Sequence, residues 1–438
     1  MDLLLALPLA LALLFLPACF GPSPEVSAPT RVEVLKTQHG WTLTRDGRPY
    51  LVKGAGGHEH LQRLKDAGGN SIRTWDGEGI DELLDEAHAL GLTVTVGIWL
   101  EHERHGNDYD DPETRAAQLA KVERIVRAYR DHPAVLIWGV GNEVEIGSDM
   151  DKAFRAVEEA AALVKSLDPN HPTMGVIAEI GSNKAKKMLE ACPSIDLLGI
   201  NSYAGVTSIP QRLTAQGVDH PYLITEFGPR GHWEGGLTPW GAPIEPSSAE
   251  KAEMYERHYT EGVASEIPGR CLGSYVFLWG QKQETTATWF GMFLDTGEAL
   301  PPVDVMQRMW TGAPPANSAP RVGAIRTDTR LDRTPPGTRM SLTADISDPD
   351  EDTLRVEWRV VRETTDRRMG GDAEQAPPEI PSRVISSDAS SAIIAAPEEP
   401  GAYRIFVYAF DESGNAGTSN LPFRVIEPDA DTPSETSP

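Results

Sequence analysis

The sequence predicts an α/β domain whose parallel strands close into an eight-stranded barrel, followed by a small all-β sandwich. Three observations carry this. From residue 50 to about 312, short apolar runs alternate with longer amphipathic stretches, and alternating strand and helix implies a parallel sheet. The alternation repeats eight times over about 260 residues, the size of a (β/α)8 or TIM barrel. Beyond a linker rich in Ala and Pro at 313–320, the pattern changes to short period-two runs separated by Pro, Gly, Asp and Ser, which reads as a sandwich over 321–428.

Ahead of the barrel, Val32 to Arg48 reads as a β-hairpin turning at Asp46-Gly47, placed to plug the bottom of the barrel. The eight strands are expected at Tyr50–Ala55, Ser71–Trp75, Leu92–Trp99, Val135–Val140, Thr173–Ala178, Ile195–Ile200, Tyr222–Thr225 and Leu272–Leu278. The helices follow at His58–Ala67, Ile80–Leu90, Pro112–Arg130, Lys152–Leu167, Lys184–Ala191, Ile209–Ala215, Ala249–Val263 and Pro302–Trp310. Asp111-Pro112-Glu113 supplies an N-cap, a proline at the first helical position and an acid in the first turn. Leu119, Val122, Val126 and Tyr129 then form one apolar stripe. The strand AVLIWGVG that follows is apolar nearly throughout, as a strand buried on both faces should be.

In the sandwich, the run at 403–410 puts Tyr403, Ile405, Val407 and Ala409 on one face and Arg404, Phe406, Tyr408 and Phe410 on the other. The module resembles the bacterial immunoglobulin-like or PKD-type modules that trail secreted glycosidases. Its Asp348-Pro349-Asp350-Glu351-Asp352 cluster offers oxygen ligands for Ca2+, but a solvated acidic turn is the simpler reading, and no metal site is expected.

A chain of 438 residues exceeds one core, in keeping with a large and a small domain. Acidic residues outnumber basic ones by 65 to 40, for a net charge of −25. This argues against nucleic acid or an anionic membrane surface as partner and agrees with a neutral substrate such as a polysaccharide. Three cysteines are too few for a disulfide framework, and Cys192 and Cys271 read as small buried hydrophobes. Residues 3–16 form an apolar run too short to span a bilayer and read as a signal-peptide core. It closes in Leu16-Pro17-Ala18-Cys19, which resembles a bacterial lipobox. That resemblance implies an acylated Cys19 and an exported protein, envelope-held or secreted; the Pro- and Ser-rich stretch over 20–31 reads as a tether, and a monomer is expected. The ten residues from 429 to 438 are expected to be disordered.

Functional groups of such barrels stand where strands end at the C-terminal face. Strand 2 ends in Arg73-Thr74-Trp75, strand 4 in Gly141-Asn142-Glu143, strand 6 in Asn201-Ser202-Tyr203, strand 7 in Thr225-Glu226-Phe227 and strand 8 in Leu278-Trp279-Gly280. Glu143 and Glu226 would face each other across the mouth, the arrangement glycosidic bond cleavage needs. One acid protonates the leaving oxygen and one carboxylate attacks the anomeric carbon, at ~5–5.5 Å separation in retaining enzymes. The acid should carry a raised pKa. Arg73 would pair with Glu226, and Tyr203 would donate to it. Asn142 would hold the 2-hydroxyl, Trp279 would offer a flat face to the sugar, and His58 would line the cleft.

The stretches LVKG, NSIRTW, PAVLIWGVGNE, GINSY, PYLITEFG and VFLWG together resemble the strand ends of glycoside hydrolase clan A, which includes families 2, 5, 17 and 72. TWFGMFLDTGEALPPVDVMQRMW resembles family 2 barrels after strand 8. The resemblance implies a retaining β-glycosidase that needs no cofactor, with Glu143 as acid/base and Glu226 as nucleophile. A transglycosylase would use the same residues, and a non-catalytic glycan-binding protein is the alternative outside enzymes. At the position where family 5 usually carries a histidine, two residues before the strand-6 tyrosine, this chain has Asn201. His58 and His60 share the His-x-His pattern of metal-dependent amidohydrolase barrels. The later strand ends IAEI, NSY and LWG lack the histidines and aspartate such a metal site requires. Trp99, His102, His105, His232, Trp233, Trp240 and Trp289 lie in loops where aromatics serve either as sugar platforms or as packing.

Overall fold

The computed structural model describes residues 30–381 and 383–427. The expected signal segment, Cys19, most of the tether and the C-terminal tail lie outside the described residues.

The chain opens with a small antiparallel meander: β1 (Val32–Thr37), β2 (Gly40–Arg45) and β3 (Arg48–Pro49). The Asp46-Gly47 turn is present, but it joins β2 to the two-residue β3. The main hairpin turns earlier, at Gln38-His39, where no glycine-asparagine pair marks it. Val32, Val34, Trp41 and Leu43 pack against Val52, Leu136, Leu197, Leu223 and Leu272, at or near the starts of barrel strands. The meander therefore closes the barrel floor.

Eight parallel strands form the closed barrel: β4 (Val52–Gly56), β5 (Ser71–Arg73), β6 (Thr93–Ile98), β7 (Val135–Asn142), β8 (Thr173–Ala178), β9 (Leu197–Asn201), β10 (Tyr222–Phe227) and β11 (Cys271–Val276). Helices α1 (Leu61–Asp66), α2 (Asp81–Ala89), α3 (Pro112–Tyr129), α4 (Met150–Leu167), α5 (Lys184–Ala191), α6 (Ile209–Ala215), α7 (Ser248–His258) and α8 (Pro301–Thr311) alternate with them. Helix α3 starts as its sequence dictates, with the Asp111 carboxylate accepting from the Thr114 amide at 2.9 Å. Ser247 and Glu250 build a reciprocal capping box on α7. Inside the barrel, Tyr275 fills the axis and its hydroxyl meets Ser71 Oγ at 3.0 Å and Thr95 Oγ1 at 2.5 Å. This polar layer satisfies itself, so its burial leaves no orphaned hydroxyl there. Cys192 and Cys271 are buried free thiols, and no described helix is long and apolar enough to cross a membrane.

The C-terminal module contains β12 (Arg321–Val322), β13 (Arg339–Thr343), β14 (Ile346–Ser347), β15 (Arg355–Arg362), β16 (Val384–Ser387), β17 (Ser391–Ala395), β18 (Gly401–Phe410) and β19 (Ala416–Val425). Two three-stranded sheets, β13-β17-β16 and β15-β18-β19, enclose a core that includes Trp358, Tyr403, Ile405, Val407, Ala409 and Phe423. The alternation of β18 has a second consequence. Its other face packs on the barrel, with Phe410 and Tyr408 against Leu294 and Leu300. Arg404 donates to Pro243 O at 2.8 Å and forks onto Glu363 at 3.1 and 2.8 Å. Burying each large apolar side chain there contributes roughly 1.5–3 kcal/mol, so barrel and module form a packed unit. The segment expected to be a linker is held down accordingly. Ala319 N donates to Asp304 at 2.7 Å and Ser318 N to Asp350 at 2.6 Å, while Asn317 Nδ2 reaches Asp352 at 2.6 Å.

Candidate active site

A cavity of about 830 Å3 opens at the C-terminal face of the barrel. Glu143 and Glu226 both line it, and both are delivered by strands that break register just before them. The pairing of β7 with β8 shifts between Val140 and Asn142, and that of β10 with β9 shifts between Ile224 and Glu226. Such bulges re-aim the side chains that follow. At Gly141 φ is +71°, and at Glu143 it is +51°. A β-carbon at Gly141 would lie 3.0 Å from Val144 Cγ1 as well as demanding the left-handed conformation. Glu143 carries the same conformation without glycine's freedom, a strain that functional sites commonly hold.

The two glutamates stand in opposite hydrogen-bonding settings. Glu226 Oε1 accepts from Arg73 Nη1 and from Trp75 Nε1, each at 2.9 Å, and its Oε2 accepts from the Tyr203 hydroxyl at 2.8 Å. Three donors, one of them a buried guanidinium, hold this carboxylate in place. Burial and the charge of Glu226 hold the Tyr203 phenol well above the usual tyrosine range, so it stays a donor. Among the described residues, the Glu143 carboxyl has one direct polar partner, the neutral amide of Asn201, 2.9 Å from its Oε1. Burial, reinforced by the nearby charge of Glu226, pushes the Glu143 carboxyl up to about 8.

The glutamates share one scaffold. Arg73 Nη2 donates to Asn142 Oδ1 at 2.6 Å, and Asn201 Nδ2 approaches the same oxygen at 3.2 Å. Asn201 Oδ1 in turn accepts from Thr225 Oγ1 at 2.7 Å. An unbroken chain thus runs Glu226–Arg73–Asn142–Asn201–Glu143. The other carboxylates lining the cavity are each occupied. Glu179 meets Arg212 at 2.6 Å, Glu284 meets Lys282 at 2.8 Å, and Asp372 meets His105 at 2.9 Å. Glu234 accepts from the amides of Gly231 and Ala204 at 2.7 and 3.1 Å. Among these described carboxylates, Glu143 alone faces neither a cation nor a backbone amide.

Two residues expected at the site are elsewhere. Trp279 is 1% exposed and does not line the cavity. It packs against Phe293 and Trp310, and its indole N–H points to His60 O at 3.4 Å. The chain after β11 is irregular there, so the alternation that brings Phe277 to the cleft does not carry on to residue 279. His58 is solvent-exposed and stands outside the cavity lining. The aromatic residues lining the cleft include Trp75, Trp99, Tyr203, His232, Trp233 and Phe277. Trp289 is buried, its indole donating to Arg230 O at 3.0 Å. Trp75 carried a readable signal, since strand alternation puts residue 75 on the same face as Arg73. Asn201 carried none beyond its place before the strand-6 tyrosine. In the module, carboxylate oxygens of Asp348, Asp352 and Asp411 lie within 4.8 Å of one another. Asp348 Oδ1 accepts amides of its own turn, at 2.8 and 3.0 Å.

Comparison with known proteins agrees with this architecture. Residues 72–261 match the TIM barrel domain of glycosyl hydrolases family 2. Among solved structures, a β-glucuronidase from Bacteroides uniformis aligns with a TM-score of 0.50 and 13% identity, over 91% of this chain and 48% of the other. A β-D-glucuronidase from Dictyoglomus thermophilum aligns with a TM-score of 0.51 and 18% identity, over 65% of this chain and 54% of the other. The chain thus spans about half the length of the structures it matches. Its barrel is thus similar to the family 2 TIM barrel domain across residues 72–261 and shares the closed eight-stranded parallel order of such barrels.

Proposed function

We propose that the protein is a retaining β-glycosidase acting by double displacement, with Glu226 as nucleophile and Glu143 as acid/base. The observation that carries this reading is the asymmetry of the two glutamates: one is ringed by donors and one is held as a neutral acid. In the first step Glu226 attacks the anomeric carbon while the Glu143 proton passes to the departing glycosidic oxygen, leaving a glycosyl ester on Glu226. Esterification removes the negative charge that helps to raise the Glu143 pKa. Glu143, now a stronger acid and ionised, takes a proton from water, and the hydroxide displaces Glu226 with net retention. Asn142, whose side-chain oxygen is engaged by Arg73, keeps its Nδ2 donors for the substrate 2-hydroxyl.

The substrate class we infer is a β-linked glycan, and which sugar occupies the cleft is a matter for assay. The test is 1H NMR of the first-formed product from aryl β-glucoside, β-galactoside, β-mannoside and β-glucuronide. The β-anomer appearing first supports the reading, and the α-anomer first would contradict it. Products longer than an oligosaccharide substrate would shift the reading from hydrolysis to sugar transfer by the same residues. The reading includes the cell envelope as location, through acylation of Cys19. Metabolic palmitate labelling that survives Cys19→Ser would rule this anchor out.

A further inference from the structure

The β-sandwich module reaches into the catalytic cleft. After β15 the chain runs out over residues 363–381, and its tip, Asp366 to Asp372, supplies Arg367, Arg368, Met369 and Asp372 to the cavity lining. This tip is fastened on both sides of the mouth. Toward the loop after β6, Asp372 takes His105 Nε2 at 2.9 Å and Arg104 Nη2 at 3.3 Å. Toward the loop after β11, Gly371 O accepts from Lys282 Nζ at 2.7 Å, and Glu374 accepts from the Thr285 amide at 2.6 Å. Where it passes between these anchors, two adjacent glycines adopt φ of +66° and +74°. β-Carbons there would stand 2.8 Å from Arg104 Nη2 and 2.9 Å from Lys282 Nζ.

The Arg104 anchor belongs to the acid/base side of the cleft. Arg104 also approaches Ile146 O, three residues after Glu143, at 3.5 Å. Beside it, three rings stack in sequence. Trp99 lies on His102 with centroids 4.9 Å apart and planes 9° from parallel, and His102 lies on His105 at 5.4 Å and 13°. The last ring of this stack is the one that Asp372 holds. The first, Trp99, faces the cavity that Met369 also lines, and Met369 is 66% exposed. An indole face and a thioether with nothing over it, set on the side of the acid, are the apolar surfaces that a pyranose ring covers with its C–H face.

We infer that the module loop completes the leaving-group subsite, taking a neutral sugar residue between Met369 and the buttressed Trp99. This rests on the proposed roles of Glu143 and Glu226, because the leaving group departs on the acid's side. The test uses the full-length protein. A 2-deoxy-2-fluoro-β-glycosyl fluoride traps Glu226, and turnover of the trapped form by cellobiose, laminaribiose, mannobiose or galactobiose then reports acceptor binding in the leaving-group subsite alone. The expected result is that Met369→Ala and Asp372→Ala each raise the half-saturating disaccharide concentration about tenfold. The rate of trapping should stay within about twofold of the parent. Met369 is exposed, so its variant keeps the fold even if Asp372→Ala loosens the loop. Normal trapping with unchanged acceptor half-saturation in both variants would overturn the inference while leaving the two-glutamate mechanism standing. Failure of the parent to be trapped by any of the fluorides would overturn both.

Discussion

Arg73 and Glu226 form a buried ion pair at 2.9 Å, and the same guanidinium reaches across to Asn142 at 2.6 Å with its other terminal nitrogen. One planar fork therefore sets the position of the nucleophile against the residue that precedes the acid. A lysine has a single charged nitrogen and cannot make both bonds with that geometry. Arg73→Lys should lower kcat by 100-fold or more. Arg73→Met should also destabilise the fold by roughly 3–5 kcal/mol, the range for stranding one member of a buried pair. Steady-state kinetics and urea unfolding check the two effects separately.

Trp75 and Tyr203 each give Glu226 one hydrogen bond. A bond to a charged group contributes about 1.5–3 kcal/mol, and each 1.4 kcal/mol is tenfold in rate. Trp75→Phe and Tyr203→Phe should each cost about 10- to 100-fold in kcat/KM, provided the rings keep their packing. A near-wild-type rate for either would show that its N–H or O–H does not serve the nucleophile.

The pH dependence follows from Glu143, whose carboxyl is raised to about 8 by burial and by Glu226. The first step needs this group protonated, so kcat/KM should fall as pH rises through that value. In Glu143→Gln, tested with an aryl glycoside whose leaving group needs no proton, this alkaline limb should vanish. Stability runs the same way. A carboxyl whose folded pKa lies above its unfolded one favours folding less as pH rises between the two values. Glu143→Gln should therefore raise Tm relative to the parent more at pH 9 than at pH 5, and scanning calorimetry at both pH values measures it.

Two tryptophans separate packing from recognition. Trp279 is buried against Phe293 and Trp310, so Trp279→Ala should cost about 3–5 kcal/mol of stability. Trp99 faces the cleft. Trp99→Ala should raise KM for an oligosaccharide substrate about tenfold, with a smaller change in Tm. The opposite pairing of effects would return Trp279 to the role of sugar platform.

What was legible in the sequence follows from the range of the interactions involved. Eight strand–helix alternations are local patterns, and the strand-end positions of Arg73, Asn142, Glu143, Tyr203 and Glu226 follow from them once the barrel closes. The split faces of β18 were readable, though not that its second face would dock on the barrel. Trp279 was misplaced because the alternation that holds to the end of β11 stops where the chain turns irregular. His58 was misplaced because its turn leaves it in solvent. The module loop left no trace at all. The hydrogen bond between His105 and Asp372 spans 267 residues, and nothing local to either residue marks the other as its partner.

The most direct measurement is intact mass and peptide mapping after incubation with 2-deoxy-2-fluoro-β-glucosyl, -mannosyl and -galactosyl fluorides. The account predicts a single adduct carried by the peptide containing Glu226, slowed in Arg73→Lys and absent in Glu226→Ala. An adduct on any other residue, Glu143 included, would contradict it.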